Sequence, residues 1–192
     1  MVSASSLLRA SRGASGLSQR ALARVARVPQ PRIATVESGA FDTSVARLER
    51  LVAATGGRVT VLPTRARPVW EASLAIGRAI DEGDEATAFR EVIQASDDLA
   101  SAGGAVRVAL AVAPAVPCGD ARYDALLAGV VEYWLVADRL PRPEWLAEPA
   151  WTLAEPWDVE PVPGLRAAAR RATPRPIARH GVFLAASELE SL

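Results

Sequence analysis

Lysine is absent: all 22 cationic side chains of the 192-residue chain are arginines. With abundant alanine, glycine and proline, this points to a GC-rich coding sequence, a statement about source rather than function. A single cysteine, Cys118, excludes a disulfide framework and any cysteine-based zinc site within one chain. A single histidine, His180, leaves no histidine cluster for metal or triad chemistry. No apolar run approaches the roughly 18 residues that would span a bilayer. Residues 1–15 lack the apolar core of a secretory signal, which predicts a cytoplasmic protein with no membrane contact. What remains is the composition of an ordinary globular chain, 50% hydrophobic and 23% charged, long enough for one generous domain or two small ones. Such a chain buries roughly 70% of its unfolded surface and needs no metal or disulfide staple.

The formal charge is zero, but it is unevenly spread. Residues 1–62 hold nine of the 22 arginines and only three of the 22 acids (Glu37, Asp42, Glu49), for a net of +6. The remainder carries 13 arginines against 19 acids, a net of −6. A basic third joined to an acidic remainder implies two parts with different partners. The basic part suits a polyanion, which would repel the acidic part.

Local signals divide the basic third into short helices. Residues 6–12 predict a first helix closed by Gly13. Ser18 is placed to cap a second, residues 19–26, in which Leu22, Val25 and Ala26 form one apolar stripe. A third covers residues 30–38, with Gly39 as a left-handed stop. A fourth, residues 44–55, is expected to bury Val45, Leu48, Leu51 and Val52. Residues 58–62 alternate with period two, predicting a short strand cut off by Pro63.

Two short helices joined by a tight turn suit DNA: the second fits the major groove while the N-terminus of the first offers amides to a phosphate. The run Leu17-Ser18-Gln19-Arg20-Ala21-Leu22-Ala23 through Val28-Pro29-Gln30-Pro31-Arg32-Ile33-Ala34-Thr35-Val36-Glu37-Ser38-Gly39 resembles the Xre/Cro-type helix-turn-helix family. The resemblance implies a lambda-repressor-like domain over residues 1–63 that binds double-stranded DNA as a homodimer. It places Ser18, Gln19 and Arg20 at the phosphates, and Gln30, Arg32 and Thr35 at base edges. Arginine reads guanine and glutamine reads adenine, about 1–3 kcal/mol of discrimination for each good bidentate pair. Three positions depart from the family pattern. Arg27 stands where glycine is usual, Pro29 where a capping Ser or Thr is usual, and Pro31 removes one groove-facing side chain.

After a linker at residues 64–68, residues 69–192 read as an acidic helical domain, making the whole chain mainly α with one or two short strands. Helices at residues 70–81 and 85–102 form an antiparallel hairpin. Residues 105–113 fit a strand or a buried helix, with helix favoured. Asp120 caps a strong helix expected to run to residue 140, ended by Pro141. Residues 143–163 are rich in Pro and Trp without a dominant period. A short helix over residues 165–172 is expected to break at Thr173-Pro174-Arg175-Pro176. Residues 180–184 read as a strand, and Ser187 with Glu190 as a capping box.

Catalytic candidates are few. His180, Cys118, Asp97-Asp98, Asp81-Glu82 and Gly103-Gly104 each lack the partners that catalysis, metal binding or a phosphate loop would need. No cofactor or metal is implied, and an enzyme ranks last. Residues 119–128, 179–184 and 188–191 resemble the C-terminal region of actinobacterial Xre-type regulators, some of which are similar to antitoxins of type II toxin–antitoxin pairs. That resemblance implies an autorepressor whose acidic domain meets a cognate basic toxin. Trp151, Trp157, Arg179, His180 and Phe183 are its candidate partner-binding residues. Against this stands the expectation that at least two of Trp145, Trp151 and Trp157 complete the domain's own core. Two other readings stay open: a repressor gated by a small molecule held between the helices of residues 70–140, and an interaction module without DNA binding.

Overall fold

The computed structural model describes residues 3–189. The chain is mainly α and divides into two compact units, Met1–Pro63 and Thr64–Leu192. Among the described residues no helix is long and apolar enough to cross a membrane.

The first unit holds α1 (Ala4–Ala14), α2 (Gln19–Ala26), α3 (Gln30–Glu37) and α4 (Val45–Ala53). Helix α1 is longer than expected at both ends. Ser3 caps it by accepting the Ser6 amide, and it continues through Gly13, which faces open space. One glycine near a helix end costs about 1 kcal/mol against alanine, too little to stop it. Ser18 caps α2 as the sequence implies, accepting the Ala21 amide at 3.1 Å. The helix closes in a Schellman motif: Arg27 adopts φ 54°, and the Val28 amide donates to the Ala23 carbonyl at 3.0 Å. Arginine thus takes the left-handed position that glycine favours. Pro29 is the N-cap of α3 and Pro31 lies in its first turn, where a missing amide proton has no intrahelical partner to lose.

Leu8, Leu22, Ile33, Val36, Leu48, Leu51 and Val52 form the first unit's core. Three expectations fail here, the first being Val25, which is 59% exposed and so lies off the buried stripe of α2. Val45 is 68% exposed rather than buried, because it opens α4 on the side away from that core. Residues 58–62 form no strand: a strand needs a partner for its backbone, and only Val59 of this run packs against the core.

The second unit runs α5 (Val69–Asp81), α6 (Glu85–Ser101), α7 (Gly104–Ala111) and α8 (Ala121–Ala137), two 3-10 turns (Glu144–Ala147, Pro149–Trp151), then β1 (Trp157–Asp158). It ends with α9 (Pro163–Ala172), α10 (Arg175–Arg179), β2 (Val182–Phe183) and a 3-10 turn at Ala186–Leu189. Strands β1 and β2 pair in parallel, Trp157 opposite Val182 and Asp158 opposite Phe183. The expected capping partner of Ser187, Glu190, lies outside the described residues, as does Ser191.

Helix α8 is the axis of this unit. Residues 123–132 are all buried, so it is enclosed on every side by α5, α6, α10 and the second 3-10 turn. Gly129 permits the closest approach, since a Cβ there would lie 3.0 Å from Ile177 Cα. Helix α10 was not expected. Pro174 is its N-cap and Pro176 lies in its first turn, so prolines that end α9 begin the next helix.

Two buried arginine and glutamate centres brace the unit. Arg107, 4% exposed, donates to the Leu99, Ala100 and Ala102 carbonyls at the end of α6. It also reaches the Trp134 carbonyl and Asp138 from α8. Those α6 carbonyls lack helical partners, and a cation is the charge that a helix C-terminus favours. Glu132 on α8 accepts from Arg142 at 2.6 Å and Arg179 at 3.0 Å, and meets His180 Nε2 at 3.0 Å.

Candidate nucleic-acid interface

The residues expected to face DNA fall on two neighbouring helices. Arg20, Arg32 and Thr35 are exposed, as is Ser18, while Gln19 and Gln30 are half-buried. Arg20 and Arg32 make no side-chain hydrogen bond or ion pair among the described residues. Thr35 turns its hydroxyl back to donate to the Pro31 carbonyl at 2.8 Å, so a base would have to use its remaining lone pairs or its methyl group.

The two glutamines are held by a relay that the sequence did not reveal. Gln30 Nε2 donates to Gln19 Oε1 at 3.0 Å, and Gln19 Nε2 donates to Glu37 Oε2 at 2.9 Å. Glu37 is 3% exposed. Arg12 grips its carboxylate from both Nε and Nη2, at 2.7 and 3.0 Å, and also donates to the Leu17 carbonyl. Arg9 donates to the Glu37 backbone carbonyl. A buried carboxylate is tolerated only when it is paired and hydrogen-bonded, and here the satisfying groups tie α1 and α2 to α3. One signal was available: Glu37 follows Ile33 by four residues and so shares its inward face.

Of the nine arginines in the first unit, only Arg12 forms an ion pair among the described residues. In the second unit, Arg67, Arg107, Arg122, Arg142, Arg170 and Arg179 are all paired with carboxylates. The basic surface is therefore available to an external anion, whereas the acidic unit consumes much of its own positive charge.

The expected partner-binding residues separate into inside and outside. Trp151 is 5% exposed and packs edge-on against Trp145, with ring centroids 5.1 Å apart. His180 is 2% exposed, with Nδ1 2.7 Å from the Trp151 carbonyl. That carbonyl only accepts, so Nδ1 carries a proton, as Nε2 also must to donate to the Glu132 carboxylate. These two residues belong to the core and present no surface to a partner, a correction to the expectation. Arg179 is exposed, though bonded to Glu132. Trp157 and Phe183 are half-buried.

Trp157 and Phe183 instead help line a cavity of about 390 Å³ within the second unit. Helix α6 supplies Glu85, Ala86 and Phe89, α8 supplies Tyr123, and the returning chain supplies the rest. It shares α6 and α8 with the expected space between the helices of residues 70–140 but is closed by the chain from residue 157 onward. Burial first, and then the Glu85 carboxylate, push the Tyr123 hydroxyl above its ordinary value. That hydroxyl donates its proton to the Glu85 backbone carbonyl at 3.2 Å. Cys118 is 6% exposed, and burial pushes its thiol up to about 12, which removes it as a nucleophile at neutral pH.

No curated protein and no solved structure matches the chain. Residues 4–61 match the family model described as a helix-turn-helix domain. The first unit, with α2 and α3 joined through the left-handed turn at Arg27, is therefore a helix-turn-helix domain of the kind carried by DNA-binding regulators.

Proposed function

We propose that this chain is a sequence-specific DNA-binding transcriptional regulator of Xre type, in its simplest form an autorepressor that acts as a homodimer in the cytoplasm. The observation that carries this reading is the placement of Arg32 and Thr35, exposed on α3, beside a surface whose arginines are largely unpaired. Arg32 reaches a guanine edge, and Gln30 meets an adenine while braced by Gln19. Ser18, Gln19 and Arg20 fix the register on the phosphates. One recognition helix reads only a few base pairs, so two copies on an inverted repeat supply the needed information. Phe41 and Val45, 55% and 68% exposed, offer apolar contact to the second copy. The acidic unit meets a basic toxin in antitoxin fashion, with Arg179, Trp157 and Phe183 as the remaining exposed or half-exposed anchors. A gel shift on the protein's own promoter, with and without the product of the adjacent gene, tests both parts.

A second reading is favoured by one observation. The cavity of about 390 Å³ falls in the size range of small-molecule sites, which supports a repressor whose DNA binding responds to a ligand in the acidic unit.

A further inference from the structure

The walls of that cavity carry a specific chemistry. Phe89, Tyr123, Trp157 and Phe183 all contribute to its lining. The Tyr123 and Trp157 rings are tilted by 51° with centroids 5.7 Å apart, so they form two sides of a corner rather than a stack. Every charged residue of the lining is acidic: Glu85, Glu160 and Glu188. Glu85 is paired with Arg122 at 3.0 Å. Glu160 accepts the Val162 amide at 2.8 Å. Neither Glu160 nor Glu188 forms an ion pair among the described residues. The nearby cations are already engaged. Arg122 is bound to Asp120, Arg170 to Asp158, and Arg166 to the Glu160 and Pro161 carbonyls.

The same rings already attract cations. The Arg122 guanidinium sits 5.3 Å from the Trp157 ring centroid, and that of Arg170 sits 4.5 Å from Phe183. Neither arginine is part of the cavity lining. An aromatic face carries negative potential, and several faces around a half-desolvated space attract a cation more strongly than water-exposed ones do. Unpaired carboxylates at the same space add to that attraction and repel anions. A neutral apolar molecule would gain from the rings but draw nothing from the acids.

We infer that the cavity bounded by Phe89, Tyr123, Trp157 and Phe183 is a binding site for a small organic cation, an ammonium with an apolar body. The volume of about 390 Å³ exceeds what a single amino-acid side chain fills, which favours a free molecule over one side chain of a docked protein. The inference deepens the ligand-gated reading and does not depend on whether the first unit binds DNA.

The test is calorimetric titration of the full chain, without DNA, using choline and its neutral isostere 3,3-dimethyl-1-butanol. Choline is expected to bind about tenfold more tightly than the alcohol. Glu188→Gln, at an exposed residue, is expected to weaken choline about threefold and leave the alcohol unchanged. Trp157→Leu is expected to weaken choline about tenfold, with an unfolding scan showing that the variant is folded. If Trp157→Leu does not fold, the Glu188→Gln result decides. Equal affinity for the two probes, unchanged choline binding in Glu188→Gln, or no saturable heat up to roughly 10 mM choline overturns the inference. Because no DNA is present, such a failure leaves the regulator reading standing, and a failed promoter shift leaves this one standing.

Discussion

Gln30 donates to Gln19 at 3.0 Å across the turn between two helices, and Gln19 passes the constraint to buried Glu37 at 2.9 Å. The residue assigned to a base edge is thus braced by the one assigned to a phosphate. Gln30 retains one amide proton and its side-chain oxygen, enough for a bidentate adenine contact. Gln19→Ala is therefore expected to weaken binding to every duplex and also to relax preference at the base that Gln30 meets. Arg32→Ala should cost about 1–3 kcal/mol at one base position. Affinities for the operator and a set of single-base variants separate the two patterns.

Among the described residues Arg27 and Arg139 are the non-glycine residues with positive φ, 54° and 55°. A side chain in that conformation costs on the order of 1–2 kcal/mol, which glycine avoids. Glycine also has more backbone freedom to lose, so Arg27→Gly is expected to stabilise the first unit by a net of about 0.5–1 kcal/mol. Urea unfolding should show a higher midpoint with an unchanged slope.

Removing the Arg107 side chain leaves the end of α6 with buried, unpartnered carbonyls and Asp138 without its cation. Leaving buried acceptors unsatisfied costs about 1–3 kcal/mol, while half-exposed Asp138 regains water. Arg107→Leu is expected to lose that much in chemical denaturation of the second unit. Arg107→Lys should recover little, since one ammonium cannot reproduce the planar fork.

Burial opposes ionisation of Glu132, but hydrogen bonds from Arg142, His180 and Arg179 prevail and hold its carboxyl below the ordinary 4.5. A folded value below the unfolded one gives stability that is complete above about pH 4.5 and lost as the pH falls through the folded value. Asp124 runs the other way: burial raises it despite the Cys118 amide that it accepts. Its stabilising contribution is full below its unfolded value and is lost as the pH rises through the folded one. In thermal scans between pH 3 and 7 (about four units, spanning both groups), Glu132→Gln should flatten the acid loss of stability. Asp124→Asn should steepen it.

Legibility from sequence followed the range of the interaction. The bounds of helix α2 were readable because its Ser18 cap and inward Leu22 are local signals, whereas Val25, expected on the same stripe, is 59% exposed. Helix α10 was not, since Pro174 and Pro176 signal both the end of one helix and the start of another. The alternation of residues 58–62 had no partner strand to make it structure. Exposed Arg32 and Thr35 followed from the helical period. The burial of Glu37 by Arg12 and the burial of His180 beside Glu132 depend on contacts between distant segments. The aromatic cavity is of the same kind, because Phe89, Tyr123, Trp157 and Phe183 meet only once the second unit has closed.

The most direct test of the DNA-binding account is a salt titration of the promoter complex for wild type and for Arg32→Ala. The account predicts a complex whose log affinity falls linearly with log salt, with a slope near −0.9 for each phosphate neutralised. It also predicts that Arg32→Ala loses most of the preference for the operator over random duplex. A promoter fragment that wild-type protein binds no better than random DNA, or does not shift at low salt, would contradict it.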